Sequence, residues 1–222
     1  MNRIAEICDL LDGEYGRPDA KPRYGPLDEF ILTILSQNTS AINYTRAFTN
    51  LRERFGDWED VRRASEAEIE DAIRPGGLGR IKAPRIKQAL NDILEHAGGL
   101  SLDFLADMPS EEAREYLMRF DGVGIKTASC VLMFSLGRPV LPVDTHVHRI
   151  SQRLGLIGRS VSAEVAHREL QAMVPDELVY SFHVGLVTHG RRTCRAQNPA
   201  CDACVLLHMC VHGQSRLAQG RI

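Results

Sequence analysis

Apolar residues recur along this chain at spacings of three and four, the period of a helix with one buried face. Phe30, Ile31, Ile34 and Leu35 follow Pro26-Leu27-Asp28, a start signal with proline in the first turn. Ile42, Ala47, Phe48 and Leu51 repeat the pattern over Ala41 to Phe55, which Gly56 stops. Ser65 with Glu68 three residues on reads as a capping box for a helix carrying Ile69, Ala72 and Ile73, broken at Pro75-Gly76-Gly77. Ile86, Leu90, Ile93 and Leu94 mark a helix from about Ile81 to Ala97. Ser110 is expected to cap a helix through Phe120, and another opens at Gly124 and ends near Gly137. Later helices are expected over Thr145 to Arg153, Ala163 to Met173 and Leu178 to His189. Alternating strand patterns are absent, so the expected class is all-α.

Between the helix ending at Phe120 and the one starting at Gly124 lies Phe120-Asp121-Gly122-Val123-Gly124. Two glycines flank one apolar residue, Val123, a spacing that suits a tight turn in which glycine takes backbone angles forbidden to other residues. Such a turn aims successive N–H groups and the following helix start outward, where they can bind one phosphate. A lone G-x-G is most often a helix stop, but its place between two expected helices and before Ile125-Lys126-Thr127-Ala128 favours a helix–hairpin–helix.

Four of the six cysteines fall in one C-terminal stretch, Cys194, Cys201, Cys204 and Cys210, with spacing C-x6-C-x2-C-x5-C. Thiolates this close in sequence can converge on one soft metal centre. Disulfides would need an oxidising compartment, and no apolar signal segment opens the chain. Tetrahedral zinc remains open, although zinc sites more often show two short-spaced pairs and only Cys201 and Cys204 form one here. A 4Fe-4S cluster tolerates uneven spacing because its cube offers four separate corners. Spacing tilts the reading modestly towards the cluster. Cys8 and Cys130 stand alone, as small buried hydrophobes do.

The 222 residues suffice for one large domain or two small ones, and no apolar run is long enough to span a bilayer. A formal charge of −2 does not announce a nucleic-acid binder, but the distribution is uneven. An acidic run from Asp57 to Asp71 precedes a basic one, Arg74, Arg80, Lys82, Arg85 and Lys87, and a second basic group, Arg191, Arg192 and Arg195, abuts Cys194. Charge runs are usually solvated helix faces, but two basic patches on a near-neutral chain suit local contacts with a phosphate backbone.

The stretch DGVGIKTASCVLMFSLGRPVLPVDTHVHRI, with LVTHGRRTC and the cysteine array, resembles the endonuclease III family of base-excision DNA glycosylases from about Leu27 to Cys210. The resemblance implies two all-α domains with a DNA groove between them. Residues 22–138 would form a six-helix barrel carrying the helix–hairpin–helix, and 1–21 with 139–222 a discontinuous domain holding a 4Fe-4S cluster on Cys194, Cys201, Cys204 and Cys210. Lys126 matches the family's nucleophilic lysine, and Asp144, about eighteen residues on, its catalytic aspartate. Gln37 matches a glutamine that fills the gap left by a flipped nucleotide, and Leu78 a leucine that wedges beside the opposite base. Gly122, Val123 and Gly124 would hold phosphate, with His146 and Arg191 completing the DNA contacts. Bland readings compete: a solvated helix lysine for Lys126, an N-cap for Asp144, a polar helix end for Gln37, core for Leu78, and a structural histidine for His146.

The implied chemistry suits these residue types. A flipped nucleotide exposes its glycosidic bond, a neutral lysine amine attacks the sugar C1′ and expels the base, and the resulting Schiff base permits β-elimination. A lysine in the first turn of a helix, partly desolvated, is favoured in its neutral form. Asp144 would take a proton and stabilise charge on the sugar. The expected activity is that of a bifunctional DNA glycosylase and abasic-site lyase acting on damaged, oxidised pyrimidines in double-stranded DNA, as a monomer in a bacterial cytoplasm. Departures from the family pattern are Gly79 for a base-pocket tyrosine, Asp121 for a proline, and Ser40 for an acidic residue. Gly79 keeps a mismatch-directed thymine or uracil glycosylase in view; a noncatalytic damage-binding iron–sulfur protein is a further alternative, against which Lys126 and Asp144 argue. Adenine-specific mismatch glycosylases use a glutamate where this chain has Thr33, and lack the lysine.

Overall fold

The computed structural model describes residues 3–220, and every regular element among them is a helix. Residues 1, 2, 221 and 222, the outer ends of the expected segments 1–21 and 139–222, lie outside the described residues. The chain divides into two compact units, Pro22–Arg138 and Met1–Lys21 with Pro139–Ile222.

The continuous unit holds α2 (Pro26–Ser36), α3 (Ala41–Phe55), α4 (Trp58–Arg63), α5 (Glu66–Ile73), α6 (Gly79–Ala97), α7 (Ser110–Met118) and α8 (Ile125–Leu136). The most apolar of these, α2 and α8, pack on each other; α3 lies against α2 and α5, α6 against α5, and α7 against α8. Phe30, Ile31, Ile34 and Leu35 of α2 are buried, as the periodicity requires, and so is most of α8 from Thr127 to Met133. Local chemistry starts the helices. Ser65 and Glu68 form the expected capping box at α5. Ser40 caps α3 by accepting from the Asn43 N–H, which gives this departure from the family's acidic residue a structural use.

Three features differ from the expectation. Ser110 is the first residue of α7 rather than its cap, because Pro109 occupies the cap position and offers no side-chain acceptor. The helix α4 falls inside the acidic run, where Asp57 accepts from the Asp60 N–H and Trp58 and Val61 are buried. The basic run is divided between the interior and the surface. Lys82 is 1% exposed. Lys87 Nζ donates to the carbonyls of Arg62 and Ala64. Arg74 pairs with Asp71, Arg80 lies near Glu70, and Arg85 pairs with Asp121. Lys82 and Lys87 are committed to backbone carbonyls, while Arg74, Arg80 and Arg85 stay at the surface in ion pairs.

The discontinuous unit holds α1 (Arg3–Tyr15), α9 (Thr145–Leu154), α10 (Ala163–Met173), α11 (Val179–Arg192) and α12 (Val211–Ala218). Ile4, Ile7, Cys8 and Leu11 of α1 are buried, and α1 packs on α11. Gly185 permits that approach, since a Cβ there would lie 3.1 Å from Leu11 Cδ1. In turn α11 packs on α9, and α12 closes on α9 beside the cysteines.

Candidate functional site

In the continuous unit the hairpin is built as its glycines suggest, but the two glycines act differently. Gly122 has φ 73°, a left-handed conformation that disfavours any side chain. Gly124 has φ −99° and ψ −179°, extended backbone open to any residue, and serves as the N-cap position of α8. A Cβ on Gly124 would meet nothing within 4 Å, so this side of the turn is open. Val123 between them is buried, and its N–H donates to Phe120 O at 3.1 Å, which closes the turn.

Lys126 lies in the first turn of α8, half-buried, where the outermost helix amides lack helical acceptors. Beside it on α2 is a residue that the motifs did not flag. Glu29 is 7% exposed, and its Oε1 accepts from Thr33 Oγ1 at 3.3 Å. Burial drives its carboxyl up to about 7, a rise that the Thr33 hydroxyl and the Lys126 charge partly oppose. Only the neighbourhood of α2 and α8 makes Glu29 noticeable; in sequence it is one more acid in the first turn of a helix.

Two loops of the same unit carry exposed non-glycine residues in the left-handed region, Asn38 (φ 54°) and Leu78 (φ 54°). Leu78 is 47% exposed, which sets aside its reading as core. A strained, exposed leucine ahead of α6 is costly to keep without a use. Gln37 is tied into the hairpin, its Nε2 donating to Gly122 O at 3.0 Å and approaching Thr127 Oγ1 at 3.4 Å. Its neighbour Asn38 is exposed. Gly79 has its own cause, because a Cβ there would lie 2.9 Å from Glu70 Cγ. A tyrosine at this position would displace Glu70.

In the discontinuous unit Asp144 caps α9, its Oδ1 accepting from the N–H groups of His146 and Val147, both at 2.8 Å. Capping engages Oδ1, and the N-cap reading of Asp144 is compatible with the catalytic one. His146 is half-buried and packs against Gly190. A Cβ on Gly190 would lie 2.5 Å from its Nδ1, and Arg149 Nη2 is 3.1 Å from the same atom. Burial pushes its imidazole pKa down. Arg191 is exposed at the end of α11, whereas Arg192 lies over the Tyr15 ring at 5.5 Å.

Cys194, Cys201, Cys204 and Cys210 line one cavity together with Arg153, His189, Leu206 and His212. All four are free thiols, and no three His, Cys, Asp or Glu side chains among the described residues are gathered closely enough to hold a single metal ion. Four thiols around one space fit a polynuclear cluster whose corners each take one ligand. Donors are aimed at two of the sulfurs: Arg153 Nη1 is 3.2 Å from Cys194 Sγ and the Gly213 N–H is 3.3 Å from Cys210 Sγ, while His189 Nε2 lies 3.6 Å from Cys204 Sγ. Burial drives the Cys204 thiol up to about 11, so holding it as thiolate calls for a cationic centre. Burial, helped by Arg149, brings His189 down to about 4 and keeps it neutral, with Tyr15 Oη 2.8 Å from its other nitrogen.

Residues 31–176 match the family described as HhH-GPD superfamily base excision DNA repair protein, and residues 194–210 match the iron-sulfur binding domain of endonuclease III. Endonuclease III of Thermotoga maritima is 35% identical over 185 residues, covering 83% of this chain and 82% of that protein. A putative DNA glycosylase of Arabidopsis thaliana is 42% identical over 165 residues, covering 74% of this chain and 56% of that protein. The chain thus spans just over half the length of the plant relative. A trapped endonuclease III–DNA covalent intermediate superposes with a TM-score of 0.82 at 29% identity, covering 97% of each chain. A thermostable thymine-DNA glycosylase shares the fold, with a TM-score of 0.79 at 19% identity and coverage of 96% of this chain and 95% of that one.

Proposed function

The chain belongs to the HhH-GPD superfamily of base excision DNA repair proteins, in its endonuclease III-like branch, and from that premise we propose that it is a bifunctional DNA glycosylase and abasic-site lyase. The observation that carries this reading is Lys126, held in the first turn of α8 directly behind an open glycine turn and beside the buried Glu29. The hairpin receives a backbone phosphate on its Gly124 side, through amides with no helical acceptor. Lys126 Nζ, as the free amine, attacks C1′ of a flipped nucleotide, and the base departs with the electrons of the glycosidic bond. Asp144 Oδ2 stabilises positive charge on the sugar and takes up the proton that the amine loses. The aminal so formed opens its C1′–O4′ bond, O4′ taking the proton, to give the Schiff base; loss of a C2′ proton then breaks the C3′–O bond by β-elimination, the phosphate leaving with the bonding electrons. Leu78 enters the stack beside the opposite base, and Arg191 contacts phosphate. Cys194, Cys201, Cys204 and Cys210 would hold a 4Fe-4S cluster, which when bound supplies charge and a rigid core to its segment. Damaged double-stranded DNA is the partner, oxidised pyrimidines are the substrate class, and the protein acts as a monomer in the cytoplasm.

The test is borohydride trapping on a duplex with one abasic site. Wild type should give a covalent adduct that Lys126→Ala loses while still binding the duplex. Iron-loaded, DNA-binding wild type that gives no adduct would end the lyase reading. Gly79 favours a second reading, mismatch-directed removal of thymine or uracil, because it leaves the base pocket without the family's tyrosine. Single-turnover excision from a panel of oxidised pyrimidines and G·T or G·U mispairs separates the two.

A further inference from the structure

The departure at Asp121 has a partner on α6. Arg85 Nε donates to Asp121 Oδ2 at 2.8 Å, with the Arg85 side chain 30% exposed and that of Asp121 73% exposed. The same guanidinium covers Gly122: a Cβ there would lie 2.6 Å from Nη1, 2.7 Å from Cζ and 2.9 Å from Nε. Gly122 is favoured by its left-handed φ, and its bare Cα lets the end of the Arg85 side chain lie against the turn. The turn is gripped from its other flank by Gln37 through Gly122 O. What remains open is the Gly124 side and the first-turn amides of α8.

We propose that Asp121 sets the strength of the hairpin's hold on the DNA backbone by keeping Arg85 folded against Gly122. This rests on the reading of the hairpin as a phosphate site. A phosphate arriving at the open side meets an exposed carboxylate one residue before the turn. Arg85 cancels that charge but, occupied by Asp121, adds none of its own. Without the carboxylate the guanidinium is free to turn to the phosphate, and an exposed ion pair is weak enough to exchange in this way. A phosphate contact carries no sequence or lesion information, so its effect falls equally on damaged and undamaged DNA. Asp121 thus limits residence on any duplex and speeds release, without altering which base is removed.

The experiment measures dissociation constants of wild type, Asp121→Asn, Arg85→Gln and the double variant over a range of salt. The duplexes are one undamaged and one carrying a tetrahydrofuran abasic analogue. Asp121→Asn should tighten both by the same factor, about two- to five-fold. Its plot of log K against log salt should steepen by up to about 0.9, the signature of one added phosphate contact. Asparagine in the Arg85→Gln background should not steepen the slope. Unchanged affinity and slope in a folded Asp121→Asn protein, or tightening on the abasic duplex alone, would overturn the proposal. Gly124→Val, which the extended backbone accepts, fills the open side and tests the premise separately. If that variant binds DNA as wild type does, the hairpin is not the phosphate site and the underlying reading fails, whatever Asp121 does.

Discussion

Lys82 Nζ donates to Leu35 O at 2.7 Å, and the same ammonium reaches Gly76 O at 3.1 Å. A lysine at 1% exposure thereby fastens the C-terminal end of α2 to the turn just before α6. A cation at a helix C-terminus is favourably placed, and it satisfies two carbonyls that would otherwise be buried without partners. Those two points lead into the loops of Asn38 and Leu78, so one buried charge positions both strained, exposed residues.

Lys82→Met keeps the aliphatic stem but orphans both carbonyls. It should cost about 3 kcal/mol in urea unfolding, within the range for buried acceptors that lose a charged donor. DNA affinity should fall at temperatures where the variant is still folded. Unchanged unfolding would show that water replaces the ammonium.

Lys82 also shows where the sequence could be read and where it could not. The apolar periodicity of α2 and α6 was legible because burial on one helix face repeats every three or four residues, and so were the hairpin spacing and the four cysteines. The fate of each lysine and arginine was not, because it depends on which carbonyl or carboxylate a neighbouring element brings up. In the run from Arg74 to Lys87, Lys82 and Lys87 hold backbone carbonyls, while Arg74, Arg80 and Arg85 stay at the surface in ion pairs. Helix α4 was hidden for the same reason: its acids are the N-cap and the surface face around Trp58. Glu29 was invisible as a buried carboxylate because only α8 reveals what lies beside it. Gln37 was recognisable by position, but its bond to Gly122 O belongs to tertiary structure.

Leu78 has φ 54° and ψ 32°, a conformation that costs a leucine about 1 kcal/mol and glycine almost nothing. Leu78→Gly should therefore unfold at the same or slightly higher urea concentration than wild type. Base excision should fall at least tenfold, with reduced 2-aminopurine fluorescence when that base stands beside the lesion. A less stable variant with normal excision would return Leu78 to a packing role.

The thiol cavity yields a prediction about metal. Cys204 is bonded within its segment, and His189 and Tyr15 link that segment to α11 and α1. Cys204→Ser or chelation of iron should lower folding yield and DNA affinity together, and the visible absorption of an iron–sulfur cluster should disappear with them. A soluble, iron-free protein that binds DNA normally would sink the bracing role. Zinc in place of iron in freshly purified protein would sink the cluster.

Glu29 makes stability depend on pH in a direction opposite to that of a salt-bridged carboxylate. Burial raises its folded pKa to about 7 from the usual 4.5, so the folded state binds this proton more tightly than the unfolded chain does. Below pH 4.5 the carboxyl is protonated in both states and imposes no penalty. As the pH rises from there through 7 the folded protein must come to bear a buried charge, and the destabilisation is complete above 7. A shift of this size corresponds to about 3 kcal/mol at most. Glu29→Gln removes the charge but keeps a group able to accept from Thr33 Oγ1. Urea unfolding should therefore show the variant matching wild type at pH 4.5 and exceeding it by up to about 3 kcal/mol at pH 8.5. The ammonium of Lys126 is among the charges that hold the Glu29 pKa down, so the same substitution removes an anion that favours protonated Lys126. Borohydride trapping by the variant should accordingly reach half its maximum at lower pH than wild type. An unfolding difference that does not change with pH, together with an unmoved trapping profile, would leave Glu29 as a packing residue only.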